Sequence, residues 1–476
     1  MYGGDEICSL VFDIGSLNGR YGYAGEDTPR NVFQNNIGVP QDLNINNDVK
    51  SIDINQDIEM TSGNDKQSIK RSCNDNGCLF GEHELRYCKK NTRVLNPINN
   101  NGYIDNLELF EMLLNNVYSK SFKVDSRDHP ILFSEPAIHN KNNRMNLAQL
   151  MFEKFDVPAM FVAKSPVLSA FSSGRSTCLV FDSGHNTTTA TPVNDGYALN
   201  KSLIKYDIGG NNLSNELYDI VINQKKIIES IVPHYKFHKI DKLLDINDED
   251  ANIAVNNNES QNCYTFETVY LNEEEHKFKS LIDPSYERYC ISEIVRDMKE
   301  NILYLNEENI GGCNIVNYKP CSYELPDGQI VELKEERYLI LEKLFNSSFT
   351  NNNSNININN SNNNYSVGFN GFHTMINDAI NKSDIDIKKE LFANIFVTGG
   401  NTLFNNFSER LQKQIINTAP PNVKVKMLVH PTPSERKFSA WIGGSILSSL
   451  GTFHQMWFSK QEYEEHGSVL IERKCA

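Results

Sequence analysis

The chain has no C-x-x-C pair among its ten cysteines, no clustered run of lysine and arginine, and no apolar stretch long enough to span a bilayer. Each absence removes a class of function. The closest cysteines, Cys73 and Cys78, lie in an Asn/Asp/Gly-rich segment, which argues against a zinc ribbon and for reduced thiols. His234 and His238 are four apart and would share a helix face, but Pro233 and the lack of an acidic or Cys neighbour favour a solvated pair, and no structural metal is expected. A formal net charge of −15 and a pI near 5.3 argue against direct nucleic-acid binding, which needs clustered basic residues. Met1-Tyr2-Gly3-Gly4-Asp5-Glu6 has no basic region and leads into only a few apolar residues, so neither a secretory signal, a membrane span nor a membrane partner is expected.

What is present is a repeated phrase. Val11-Phe12-Asp13-Ile14-Gly15-Ser16 and Val180-Phe181-Asp182-Ser183-Gly184-His185 each end an apolar run and each place a carboxylate two residues before a glycine, 169 residues apart. One Asp-x-Gly is an ordinary turn. Two copies, each after a strand, point to two related halves that face their turns across one cleft. A third turn, Thr398-Gly399-Gly400-Asn401, follows the strand-like Ile395-Phe396-Val397. Glycine lets backbone N–H groups approach phosphate oxygens, and each aspartate can hold the water shell of magnesium. The pattern therefore reads as a nucleotide clamp.

At 476 residues the chain suits two domains with insertions. Residues 41–76, 245–262 and 346–364 are Asn/Asp/Ser-rich and carry too little apolar content to offset the entropy of ordering, so mobile surface loops are expected there. Between them, short β-rich runs alternate with helical periodicity, which predicts an α/β fold with a mostly buried sheet. Asp105 is the expected N-cap of a helix over Leu107 to Val117, with Glu108 completing a capping box. Further helices are expected over Glu287 to Leu305 and Phe404 to Ile415.

Gly22-Tyr23-Ala24-Gly25-Glu26-Asp27, Ser173-Gly174-Arg175, Asp195-Gly196-Tyr197-Ala198-Leu199, Tyr323-Glu324-Leu325-Pro326-Asp327-Gly328-Gln329 and Trp441-Ile442-Gly443-Gly444-Ser445-Ile446-Leu447 resemble actin, as does the tail from Ser459 to Ala476. The resemblance runs the length of the chain, broken only by the insertions. Within the superfamily, Tyr2-Gly3-Gly4-Asp5-Glu6, Gly399-Gly400-Asn401-Thr402-Leu403 and Ser434-Glu435-Arg436-Lys437-Phe438-Ser439 resemble the nuclear actin-related protein 4 class.

This resemblance implies the actin-like, duplicated ribonuclease H-like α/β fold: two large domains of two subdomains each around a nucleotide cleft. It implies subdomain 1 over 1–34, 96–172 and 439–476, subdomain 2 over 35–95, subdomain 3 over 173–208 and 368–438, and subdomain 4 over 209–367. It also implies ATP, with magnesium held through water by Asp13 and Asp182. The first phosphate loop is then Asp13, Gly15, Ser16 and Leu17, with Arg20 where actins carry a phosphate-contacting lysine. Leu17 replaces a glycine and crowds that loop. The second loop is Asp182, Gly184, His185 and Asn186. His185 stands where polymerising actins have a second aspartate, and either orders water less well than a carboxylate or simply packs there, so weaker metal dependence is expected. Gly210, Gly399 and Gly400 complete the backbone side, while Lys299, Glu300 and Lys437 match positions that contact adenine and ribose.

Ser165 occupies the position of the glutamine that orients attacking water in actins, and is shorter by roughly 2.5 Å of reach. Negligible hydrolysis is therefore expected, and the chain is not expected to act as an enzyme. The resemblance further implies an apolar partner groove at Phe171, Leu447, Leu450, Thr452 and Met456, where interior packing is the competing reading. It implies nuclear residence, with some cytoplasmic protein, beside an actin monomer on a scaffold-subunit helix of chromatin-remodelling and histone-acetyltransferase complexes, with histones as further partners. The segment 41–76 replaces the loop that would join a filament neighbour, so the chain is expected not to polymerise. The alternative is a divergent cytoskeletal actin with slow ATP turnover; a sugar kinase of the same superfamily fits less of the chain.

Overall fold

Leu10–Ile14 reads Leu-Val-Phe-Asp-Ile, and all five residues are buried. A strand covered on both faces belongs in the middle of a sheet. In the computed structural model it lies inside a six-stranded sheet ordered Phe458–Ser459, Ala159–Lys164, Ile131–Glu135, Leu10–Ile14, Asn18–Tyr23, Asn31–Gln34. Cys178–Ser183 is the equivalent strand of a second six-stranded sheet, ordered Tyr197–Ala198, Thr188–Asn194, Cys178–Ser183, Ile395–Thr398, Met427–Val429, with Ile204–Tyr206 also paired to Thr188–Asn194. The structure describes residues 8–41, 77–87, 90–243, 264–270, 282–307, 319–345 and 369–475. The loops expected over 41–76, 245–262 and 346–364 fall outside these residues except for Gln41, whose N–H donates to the Asn91 carbonyl.

Both sheets are built alike. Each aspartate-bearing strand pairs antiparallel with the strand that follows it and parallel with a much later strand on its other side. A parallel pair needs a long crossover, and helices such as Leu107–Asn116 and Phe372–Asn381 supply cover for the sheet faces. The 169-residue offset persists at atomic scale: the Gly15 N–H donates to the Asn18 carbonyl at 3.0 Å, and the Gly184 N–H donates to the Thr187 carbonyl at 2.9 Å.

Two helices join the lobes behind these hairpins. Helix Pro433–Ser449, started by a capping box between Thr432 and Glu435, lies across helix Ser165–Ser172 so closely that a Cβ on Gly443 would sit 1.7 Å from the Leu168 carbonyl. Only glycine permits that approach. Trp441 on the same helix is fully buried and its indole N–H donates to the Val11 carbonyl at 2.9 Å, which ties the helix to the first sheet. Separate apolar cores fill the two lobes, one around Phe12, Phe133 and Trp441, the other around Phe181, Phe372 and Phe407.

Several local expectations are corrected. The cap of the first long helix is Asn106, whose side chain accepts from the Leu109 N–H at 2.9 Å. Asp105 is still in the preceding turn, its own N–H donating to the Pro97 carbonyl, so Glu108 comes one position too early for the capping box. That helix ends at Asn116 and continues as a widened π-type turn, Val117–Phe122. The helix expected from Glu287 begins at Pro284, capped by Asp283, and ends at Ile302, because proline is tolerated in a first turn whose N–H groups lack partners anyway. The helix expected from Phe404 begins at Phe407, since Asn406 takes a left-handed φ of 63°. His234 lies in a 3-10 turn and His238 in strand Phe237–Leu243, so the two share no helix face. Among the described residues no helix is long and apolar enough to cross a membrane.

Candidate nucleotide site

The two Asp-x-Gly hairpins open into one cavity of about 620 Å³, a size suited to a small organic ligand. Asp13 to Asn18 enter from one lobe and Asp182, Gly184, His185 and Thr187 from the other. The third turn is fixed against the second hairpin. Gly399 has a φ of +98°, and a Cβ there would lie 2.3 Å from the Ser183 carbonyl and 2.6 Å from a carboxylate oxygen of Asp182. Gly400 beside it faces open space.

Hydrogen bonds brace the second hairpin from three directions. The Gly210 N–H, at the start of helix Gly210–Asp219, donates to the Gly184 carbonyl at 3.0 Å, and the Asn211 N–H donates to the His185 carbonyl at 2.7 Å. The Asn401 amide donates to the Gly184 carbonyl at 2.7 Å and to the Ser183 hydroxyl at 3.1 Å. The Lys299 ammonium donates to the Gly210 carbonyl at 3.0 Å. Burial pushes that amine down to about 8.

Charge is arranged unevenly between the lobes. The Arg20 guanidinium faces Asp13 across the hairpin ladder and lies 2.6 Å from one of its carboxylate oxygens, while the Ser134 hydroxyl donates to the other. Asp182 is half-buried and lines the cavity. Burial, and secondarily the Asp13 charge, pushes its carboxyl up to about 6 against the opposing pull of Arg20. The His185 imidazole is pushed down to about 4, first by burial and then by Lys299 and Arg296, so it is neutral at pH 7. Ser165, the first residue of helix Ser165–Ser172, opens on the cavity, followed by Pro166 at a position where proline is tolerated. At the far end Arg296, Lys299, Glu300, Leu303, Phe404 and Lys437 form the wall.

The sequence matches a family model described as Actin over residues 4–476. The chain belongs to the actin family. A protein of Oryza sativa subsp. indica named actin-related protein 4 is 34% identical over 486 residues, spanning 100% of both chains. A protein of Arabidopsis thaliana with the same name is 34% identical over 479 residues, again 100% of both. The α/β architecture and the similarity to actin-related protein 4 both agree with the sequence reading.

Of the nucleotide-site residues expected in this actin-family chain, all but one line the cavity. Asn186 does not; its amide donates to the Asn100 side chain at 3.3 Å, from the second hairpin to the opposite lobe. Arg20 lines the cavity yet spends one guanidinium nitrogen on Asp13. Around the expected groove, Phe171 is half-buried and Leu447 packs against the core of the first lobe, while Leu450, Thr452 and Met456 are exposed.

Sequence reasoning missed three working groups. Ser134 and Glu135 close the otherwise apolar strand Ile131–Glu135, and that switch to polar residues was the available signal. Asn401 had been read only as part of a turn, although its buried amide props the second loop. Ser439 joins Ser169 and Thr398 in a run of buried hydroxyls between the crossing helix and the third turn, visible only in three dimensions.

Proposed function

We propose that this actin-related chain holds an adenine nucleotide in its cleft as a structural cement and serves as a non-polymerising subunit of nuclear assemblies that remodel chromatin or acetylate histones. The observation that carries this reading is the pair of equivalent hairpins opening on one cavity of about 620 Å³ in a chain of the actin family. Backbone N–H groups at Ser16, Leu17, His185 and Gly400 would receive the phosphates, those of Gly15, Gly184 and Gly399 being spent on backbone carbonyls that shape the turns, and Lys299, Glu300 and Lys437 would receive the nucleoside. Bound nucleotide then adds stability with the logarithm of its concentration over its dissociation constant.

Turnover would be negligible. Ser165 is the residue of this cavity nearest in role to a water-orienting side chain, and its hydroxyl reaches less far than a carboxamide by roughly 2.5 Å. The subdomain boundaries implied by the actin resemblance divide the chain as stated above. The half-exposed set at Phe171, Leu447, Leu450, Thr452 and Met456 would receive a partner beside an actin monomer and a scaffold-subunit helix; contact with histones and nuclear residence belong to the same reading.

The experiment is affinity purification of the tagged full-length chain with identification of what co-elutes. Actin together with remodeller or acetyltransferase subunits is the expected result. A protein recovered alone, which pellets as filaments in magnesium and salt and releases phosphate at the rate of actin, would instead be a divergent cytoskeletal actin.

A further inference from the structure

The actin family implies a divalent cation beside the phosphates, and the donor set of this cleft does not fit one. Magnesium takes octahedral oxygen donors and is usually reached through water by free carboxylates. Here both oxygens of Asp13 are already engaged, one by the Arg20 guanidinium at 2.6 Å and one by the Ser134 hydroxyl. The second hairpin offers a single carboxylate, Asp182, and then the His185 imidazole, a nitrogen donor. Among the described residues no group of three or more His, Cys, Asp or Glu side chains could hold a metal ion.

A cation of the chain's own, the Arg20 guanidinium, lies in the same place. Arg20 stands opposite Asp13 on the adjacent strand, within electrostatic reach of Asp182, with its charge centre 5.7 Å from the Phe438 ring. Its NH1 lies 3.9 Å from where a Cβ of Gly15 would be, so the guanidinium borders the phosphate loop itself. Its Nε is buried and has no hydrogen-bond partner. A guanidinium carries five N–H donors in a planar fork; one is spent on Asp13, and others are free for phosphate oxygens. Five basic side chains and four acidic ones line the cavity, a formal excess of one positive charge.

We propose that Arg20 takes the place of the divalent cation, and that the chain binds the phosphate chain of a nucleoside triphosphate without metal. This rests on the nucleotide reading above and refines it. In the free protein Asp13 holds the guanidinium in position. With ligand bound, the guanidinium bridges the Asp13 carboxylate and the phosphates, the part a hydrated metal ion plays between two sets of anionic oxygens.

The test is calorimetric titration of ATP into the nucleotide-stripped full-length chain, in magnesium and again in EDTA. Equal affinity in both is expected. For Arg20→Ala, binding in EDTA should weaken by about 10- to 100-fold, as for a lost hydrogen bond to a charged group, and magnesium should restore part of it because Asp13 is released. Should that variant fail to fold, Arg20→Lys keeps the charge but loses the fork, and a smaller loss confined to EDTA is expected. Wild-type binding that disappears in EDTA overturns the role of Arg20 and leaves the nucleotide reading standing. No binding in either buffer overturns the nucleotide reading, and this inference with it.

Discussion

The Tyr286 hydroxyl donates to the Leu85 carbonyl at 2.8 Å, and Tyr286 is fully buried. The two residues belong to opposite lobes: Tyr286 is on helix Pro284–Ile302 and Leu85 ends the short helix Gly81–Leu85. Around them the Val94 N–H donates to the Ser285 hydroxyl at 2.9 Å and the Gln34 amide donates to Glu293 at 2.7 Å. These hydrogen bonds bolt the two lobes together through elements other than the crossing helices.

Nucleotide release should be limited by opening of that bolt. Tyr286→Phe keeps the ring but leaves the Leu85 carbonyl without the hydroxyl that donates to it in the closed state, at a cost of about 1–3 kcal/mol. Release of a fluorescent ATP analogue, chased with excess ATP in stopped flow, should quicken about fivefold or more in this variant. An unchanged release rate would mean that these contacts do not gate the site.

The second hairpin should carry two opposed pH dependences in the nucleotide-free protein. The Asp182 carboxyl, at about 6, keeps a proton that the unfolded chain has lost, so its contribution to stability falls as pH rises between about 4 and 6. His185, at about 4, stays neutral while the unfolded chain binds a proton, so its contribution rises between about 4 and 6.5. Thermal melts across that range should show Asp182→Asn gaining on wild type as pH rises and His185→Gln losing ground. Difference curves of the same sign would contradict this.

Gly399 and Gly400 should behave oppositely despite being adjacent. A methyl group on Gly399 meets the Ser183 carbonyl at 2.3 Å in a backbone conformation that side chains disfavour, so Gly399→Ala should lose about 2 kcal/mol or more of stability. The same change at Gly400 points into open space and should leave the melt of the empty protein within about 0.5 kcal/mol of wild type. Since Gly400 lines the cavity, ATP affinity should still drop, and melts with and without ATP separate the two effects.

The duplicated fold was legible because its signal is local: an apolar strand, then Asp-x-Gly, occurs at Asp13 and Asp182 with an unvarying offset, and the hairpin geometry follows from those few residues. Of the cavity lining, the two Asp-x-Gly turns followed from the phrase itself, whereas Gly210, Lys299, Glu300 and Lys437 came from the resemblance to actin. Arg20 was harder. Its position opposite Asp13 on a tight hairpin is readable, but whether a cation turns to the carboxylate beside it or to a ligand depends on Ser134 and Phe438, which other elements bring in. Asp105 and Asn106 are both good caps by residue type, and both N–H groups donate to the Pro97 carbonyl, so the choice of Asn106 follows from where the helix starts, at Leu107, which only the folded chain sets. The strut at Asn401 was invisible for the same reason, since its acceptors lie more than two hundred residues away.

The central claim is that the cleft holds an adenine nucleotide and keeps it intact. The direct measurement is to load the stripped full-length chain with ATP, remove free ligand, incubate, and identify by chromatography what remains bound. The account predicts an equimolar complement of unhydrolysed ATP, as stable in EDTA as in magnesium. Recovery of ADP with released phosphate, or of no nucleotide at all, would contradict it.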